Sequence, residues 1–371
     1  MPSTLFDVES GEIHNQIKKL IDNLINTKDE TGEFLLRLKD GRVIDTKGWN
    51  DWEWTHGIGL YGLWNYHSLV GDEATLSIIL KWYKDRFDQG TTTKNINTMA
   101  VFLTLACIYE TDPAKYHVFY TYLDVWAEWA MYQLDRTEYG GMQHVTYTTK
   151  HHNQLWDDTL MMTVLPLAKI GVVLNRPHYV NEAKKQFLTH IRYLGDRQTG
   201  LFYHGWSFEN GGHNYANAFW ARGNSWVTIA IPEIIEILDL QPGDPIREFL
   251  VDTLNAQVSA IAKLQGEDGR WHTLLNDPTS YLESSASAGF AFGILKSVRK
   301  RYVSDSYLPV GVKAVKGILK KIDEKGELLE TSFGTGMGKD LEFYKKIALT
   351  SMPYGQALAM MALGEFLHLY V

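Results

Sequence analysis

Twelve segments of helical periodicity, six regularly placed glycine turns and no convincing run of buried strands predict an all-α protein, an (α/α)6 barrel of six helical hairpins. The first segment, near 10–27, puts Ile13, Ile17, Leu20, Ile21, Leu24 and Ile25 on one helical face. Further helices are expected near 54–69, 74–88, 96–110 (with the apolar run Val101 to Ile108) and 113–134. A helix over 157–174 carries Leu160, Met161, Val164, Leu165 and Leu167, and others follow near 178–194, 215–240, 244–264, 281–301, 307–321 and 352–370. Between alternate helices lie turns centred on Gly32, Gly90, Gly140, Gly200, Gly269 and Gly326. Their spacing of roughly 50–70 residues is that of a helix pair, and related patterns follow several of them: Gly140 to His144, Gly200 to His204 and Gly269 to His272. An open stack would end in polar capping repeats, whereas the final segment (Leu358, Met360, Met361, Leu363, Phe366, Leu367) stays apolar, so the ring is expected to close.

The chain of 371 residues is 45% hydrophobic and 22% charged, an ordinary globular composition, and lacks linker-like tracts, so one domain over 1–371 is expected. A formal net charge of −8 with dispersed Lys and Arg argues against nucleic acid, and the cluster Lys296 to Arg301 reads as a solvated helix end. The first twelve residues lack the pattern of a signal peptide and no segment approaches a membrane span. The only cysteine, Cys107, precludes an internal disulfide and reads as a packing residue, so a cytoplasmic location without membrane association is expected.

The stretch Leu155 to Met162 places two adjacent carboxylates, Asp157 and Asp158, in an aromatic and apolar run. Such surroundings disfavour the charged form, raise the pKa and keep a carboxyl group available as a proton donor near neutrality. Asp is also a preferred helix N-cap, and neighbours in sequence face different sides of a helix. One Asp is therefore expected to hold the turn while the other faces a cavity; these residues alone leave open which does which.

Aromatic residues cluster at turns and helix starts, among them Trp54, Trp156, Trp206, Trp220 and Trp226. Most belong to packing, but Trp206 and Trp220 lie among His204, His213 and several Asn, a setting suited to stacking sugar rings and bonding hydroxyls. Arg222, near a helix start where a cation is unfavourable, either holds a carboxylate with its planar fork or stacks on a neighbouring Trp. No HExxH, His/Cys ligand set or EF-hand-like loop is present, and no catalytic metal is expected. The histidines read as hydrogen-bonding groups, with His204 foremost for substrate contact.

These residues resemble glycoside hydrolase family 105, the unsaturated rhamnogalacturonyl and glucuronyl hydrolases. The similarity runs nearly end to end through Trp52-Glu-Trp-Thr-His-Gly57, Leu155 to Met161, His204-Gly-Trp206, Trp220 to Trp226, and Trp271-His272 leading to Tyr281. It implies an (α/α)6 barrel that removes a 4,5-unsaturated uronic acid from small lyase-generated oligosaccharides by hydrating a vinyl ether. It implies Asp158 as the acid/base, with Asp157 left to cap or tune it. It further implies sugar contacts at His204, Trp220, Arg222 and Trp226, with His144 a less close match, and a reaction that needs no organic cofactor; Trp54, His56, Trp156 and Trp206 stand beside these as candidate substrate contacts. A second family carboxylate corresponds to Asn97, which can bond hydroxyls but not transfer a proton. No second acid that pairs with Asp158 is apparent in the sequence. Two alternatives stand beside this reading: a sugar epimerase or isomerase using His204 and His272, and a glycan-binding protein without turnover.

Overall fold

The computed structural model describes residues 4–370. Six inner helices, α2 (Trp54–Val70), α4 (Val101–Thr111), α6 (Leu165–Val173), α8 (Ala221–Ile237), α10 (Ser284–Arg299) and α13 (Pro353–Leu367), pack each on the next, and α13 returns to pack on α2. The outer layer is α1 (Ser10–Asn26), α3 (Glu73–Asp88), α5 (Tyr120–Glu128), α7 (Pro177–Leu194), α9 (Pro245–Lys263) and α11 (Leu308–Leu319). Burial explains the division. Helix α1 buries one stripe (Ile13, Ile17, Leu20, Ile21 and Leu24), whereas α13 buries every residue from Pro353 to Leu367. A helix apolar all round has to be enclosed. Closure also demands close approach of backbones: a Cβ on Gly62 would lie 2.9 Å from the Ala357 carbonyl oxygen across the α2–α13 seam.

All six glycines of the expected turns have a left-handed backbone, with φ between 75° and 94°. The predicted repeat is thus a real one, and the turn at one end of each hairpin recurs in the same conformation.

Several boundaries differ from expectation. The 113–134 segment breaks into a 3-10 turn at His117–Phe119, α5 and a π-helical turn at Trp129–Gln133. The 96–110 segment begins as a 3-10 turn at Thr98–Ala100, and 157–174 begins as a π turn at Leu160–Val164. The 215–240 helix starts only at Ala221, because Tyr215 and Asn217 have positive φ and Trp220 is extended. The 281–301 helix starts at Ser284, because Leu282–Glu283 pairs with Trp271–His272. Three further antiparallel pairs join Thr4–Leu5 to Val8–Glu9, Leu35–Arg37 to Val43–Asp45, and Gln154–Trp156 to Gly205–Ser207. A short helix, α12 (Leu341–Lys345), precedes α13.

Two readings of individual residues are corrected at the C-terminal ends of the inner helices. Lys296 and Arg299 do not form a solvated helix end: Lys296 is buried and paired with Glu233 at 2.7 Å, and Arg299 pairs with Glu365. Cys107 is half-buried beside these charges, on the wall of a hollow it shares with Lys169, rather than sealed in the core. Among the described residues no helix is long and apolar enough to cross a membrane.

Candidate active site

The opposite end of the ring, where the inner helices begin, holds a cleft of about 310 Å³. Eight of the expected residues meet there: Trp54, Asn97, His144, Trp156, Asp158, Trp220, Arg222 and Trp226. Local structure delivers them. The strand Gln154–Trp156 runs straight against Gly205–Ser207, and the chain then turns into the π-helical start of the α6 segment, leaving Asp157 and Asp158 at the bend.

The bend sends the two carboxylates apart. Asp158 lines the cleft with a side chain 18% exposed, and its Oδ1 lies 3.5 Å from His144 Nδ1. Burial pushes its pKa up to about 7, against the pull of the Thr159 N–H and the Arg222 charge. Asp157 is fully buried beside Gly223, where a Cβ would overlap its carboxyl group. Neither of its oxygens has a hydrogen-bond partner among the described residues, so its side chain does not cap the turn. Burial, and then the neighbouring Asp158, raise its pKa far above the carboxylate range, so it stays neutral.

His144 stacks on Trp156 with ring centres 3.9 Å apart and planes 7° from parallel. Burial lowers its pKa, leaving a neutral imidazole beside Asp158. Of the two roles considered for Arg222, the structure shows the stacking one. Its guanidinium sits 4.5 Å over the Trp220 ring and 5.0 Å over Tyr354, and donates to the carbonyls of Ser332 and Phe333, each at 2.9 Å. The fork is therefore held by backbone, no carboxylate pairs with it among the described residues, and it forms part of the cleft wall.

Three expected contacts are corrected. His56 is buried at the start of α2, where its Nδ1 accepts from the Glu53 N–H at 3.0 Å and its Nε2 donates to the Gly48 carbonyl at 2.6 Å. Both ring nitrogens are used, so it builds the helix start and does not reach the cleft. His204 lies behind the cleft wall, edge-on to Trp156, with Nδ1 2.8 Å from the Tyr344 hydroxyl. Burial lowers its pKa to about 3. Trp206 pairs with Leu155 in the strand register and packs its ring on Gly212 and Tyr193, away from the cleft. His272, the other histidine of the isomerase alternative, is bonded to the Ser280 carbonyl at 2.5 Å, and neither it nor His204 lines the cleft.

A second carboxyl group, missed in the sequence, is Glu53. It is 2% exposed and its pKa rises to about 8, chiefly through burial, with a smaller contribution from Asp158. Its Oε2 accepts from the Trp54 N–H at 2.5 Å, and its Oε1 accepts from Asn97 Nδ2 at 3.1 Å. Asn97 thus stands beside a carboxyl group, and its Oδ1 has no partner among the described residues. The signal was a reciprocal capping box, Glu53 with His56 at the third helical position, in which Glu replaces the usual Ser or Thr. Among the described residues no group of three or more His, Cys, Asp or Glu is placed to hold a metal ion.

Comparison with known proteins shows the family to which this fold belongs. A model of Glycosyl Hydrolase Family 88 matches residues 26–370. An unsaturated rhamnogalacturonyl hydrolase of Bacillus subtilis is 30% identical over 325 residues, covering 85% of this chain and 90% of that protein. A crystal structure described as a possible member of the GH105 family from Salmonella enterica superposes with a TM-score of 0.97 at 59% identity, covering 100% of this chain and 97% of that one. A similar structure from Klebsiella pneumoniae gives 0.97 at 56% identity, covering 100% and 96%. The chain belongs to glycosyl hydrolase family 88 and is a glycoside hydrolase similar to the unsaturated rhamnogalacturonyl hydrolases.

Proposed function

We propose that the protein removes a terminal 4,5-unsaturated uronic acid from lyase-generated oligosaccharides of the rhamnogalacturonan type, with Asp158 as acid and then base. The observation that carries this reading is a carboxyl group raised to about 7 at the wall of an aromatic cleft, next to a neutral histidine. At neutral pH a substantial fraction of Asp158 is protonated, as a general acid requires. It gives its proton to C4 of the sugar, and the C4–C5 double-bond electrons form the new C–H bond. Positive charge then spreads over C5 and the ring oxygen. The Asp158 carboxylate next accepts a proton from water as the water oxygen bonds to C5. The resulting hemiketal opens and releases the neighbouring sugar.

Among the described residues of the cleft, Arg222 supplies the one positive charge without a carboxylate partner, and it is assigned to the uronate carboxylate, while Trp156, Trp220 and Trp54 offer ring faces to the sugar. The same carboxyl group acts in both proton transfers, so the two-acid arrangement of ordinary glycosidases is not required. Glu53 is assigned the orientation of Asn97.

The test is incubation with lyase-generated disaccharides, following loss of near-ultraviolet absorbance from the double bond. Asp158→Asn is expected to lower kcat by about 10²–10⁴-fold with an unchanged circular dichroism spectrum. Wild-type turnover in that variant would remove Asp158 from the mechanism.

A further inference from the structure

Outside the cleft, a cavity of about 230 Å³ lies between α1 and α3, beside the loop that leads into α2. It shares no lining residue with the cleft. Ile25, Ile78, Trp49 and Trp82 give it apolar walls, and Arg86, in the last turn of α3, borders it. Arg86 is only 7% exposed. Its Nη1 donates to the Asn50 carbonyl, while its Nε is sealed without a hydrogen-bond partner among the described residues. The nearby carboxylates are engaged elsewhere: Asp85 pairs with Lys81 at 2.5 Å, and Asp51 accepts from the N–H groups of Asp45 and Trp52 at 2.6 and 2.7 Å. Burial lowers the Arg86 pKa and outweighs the attraction of both. A guanidinium has five N–H groups and stays charged, and buried charges are as a rule paired. Holding the Asn50 carbonyl needs one N–H, and the pole of α3 favours a cation by less than burying an unpaired ion costs.

We infer that this cavity is a second ligand site, which takes a small molecule through an oxyanion, carboxylate or phosphate, set against the Arg86 guanidinium. The anion supplies the counter-charge that the chain itself does not, through charge-assisted hydrogen bonds to a planar fork. Trp49, Trp82, Ile25 and Ile78 offer apolar surface to the rest of the molecule. Lys81, exposed at the edge of the cavity, adds a second positive charge that it shares with Asp85. The loop at 48–50 that holds Nη1 is itself anchored, since the Trp49 carbonyl accepts from Trp82 Nε1 at 2.9 Å and the Gly48 carbonyl accepts from His56 Nε2 at 2.6 Å. The guanidinium is thereby fixed before a ligand arrives, which lowers the cost of ordering the site. This site stands independently of the reaction proposed for the cleft.

The experiment is titration calorimetry with two probes, inorganic phosphate and free galacturonate, on the wild type, Arg86→Gln, Ile78→Phe and Arg222→Gln. Ile78→Phe adds bulk to the apolar wall and leaves Arg86 in place. At least one probe is expected to bind the wild type, to bind Arg222→Gln equally well, and to bind Arg86→Gln at least about tenfold more weakly. Ile78→Phe should weaken it likewise. Phosphate alone would assign phosphate esters, galacturonate alone would assign carboxylates, and binding of both would assign the chemistry they share. Binding of neither probe would overturn the inference. So would unchanged affinity in Arg86→Gln, or in Ile78→Phe should Arg86→Gln not fold. Binding lost in Arg222→Gln and kept in Arg86→Gln would place the anion in the cleft and overturn it as well.

Discussion

At the scale of single residues, the site depends on what burial does to two neighbouring carboxyl groups. The pKa of Asp158 is raised, so its acid form predominates below about 7 and is lost above it. We expect kcat/KM to fall as pH rises through that value. A profile still flat at pH 9 would show that this group does not act as the acid. Asp157 has no partner among the described residues and a pKa far above its unfolded value of about 3.9. The folded state therefore holds a proton that the unfolded chain releases, so this group lowers stability as pH rises from about 4 towards its folded value. Asp157→Asn should raise the unfolding midpoint relative to wild type more at pH 8 than at pH 4. An equal difference at both pH values would indicate an ionised Asp157.

At the scale of elements, the inner helices are held by backbone contact as much as by side chains. Gly62→Val would force α2 and α13 apart at Ala357, and a loss of roughly 1–3 kcal/mol is expected from thermal or urea unfolding. An unchanged midpoint would mean the seam can relax. The helices were legible because amphipathic and wholly apolar segments alternate, as in α1 against α13. The breaks inside 113–134 and at 215–220 were not, since apolar spacing is blind to a π turn and to left-handed Asn and Tyr. Glu53 was overlooked for a related reason: a helix-capping Glu looks ordinary until the ring brings Asp158 and Asn97 beside it.

At the scale of the molecule, the ring has two unlike ends. Aromatics and carboxyl groups gather where the inner helices start, while cations such as Lys296 and Arg299 gather where α10 ends, where they oppose the negative pole of the helix. Lys296→Met would leave Glu233, 3% exposed, with only the Tyr61 hydroxyl, and should cost about 3–5 kcal/mol in urea unfolding. A loss below about 1 kcal/mol would show that the Lys296–Glu233 pair contributes little to the fold. If the chain is one domain, calorimetry should give a single transition; two resolved transitions would count against that expectation.

The amino-acid sequence alone determined the six helical hairpins and the closed ring, because these follow from periodicity and turn chemistry, and it singled out an Asp pair set among apolar residues without deciding between its two members. The tertiary structure alone decided which histidines face the cleft, which Asp is sealed in the core, and that Glu53 joins the site. Those outcomes depend on side-chain direction and on contacts between segments far apart in the chain, and His56 and His204 reach their partners, Gly48 and Tyr344, only when the ring is formed.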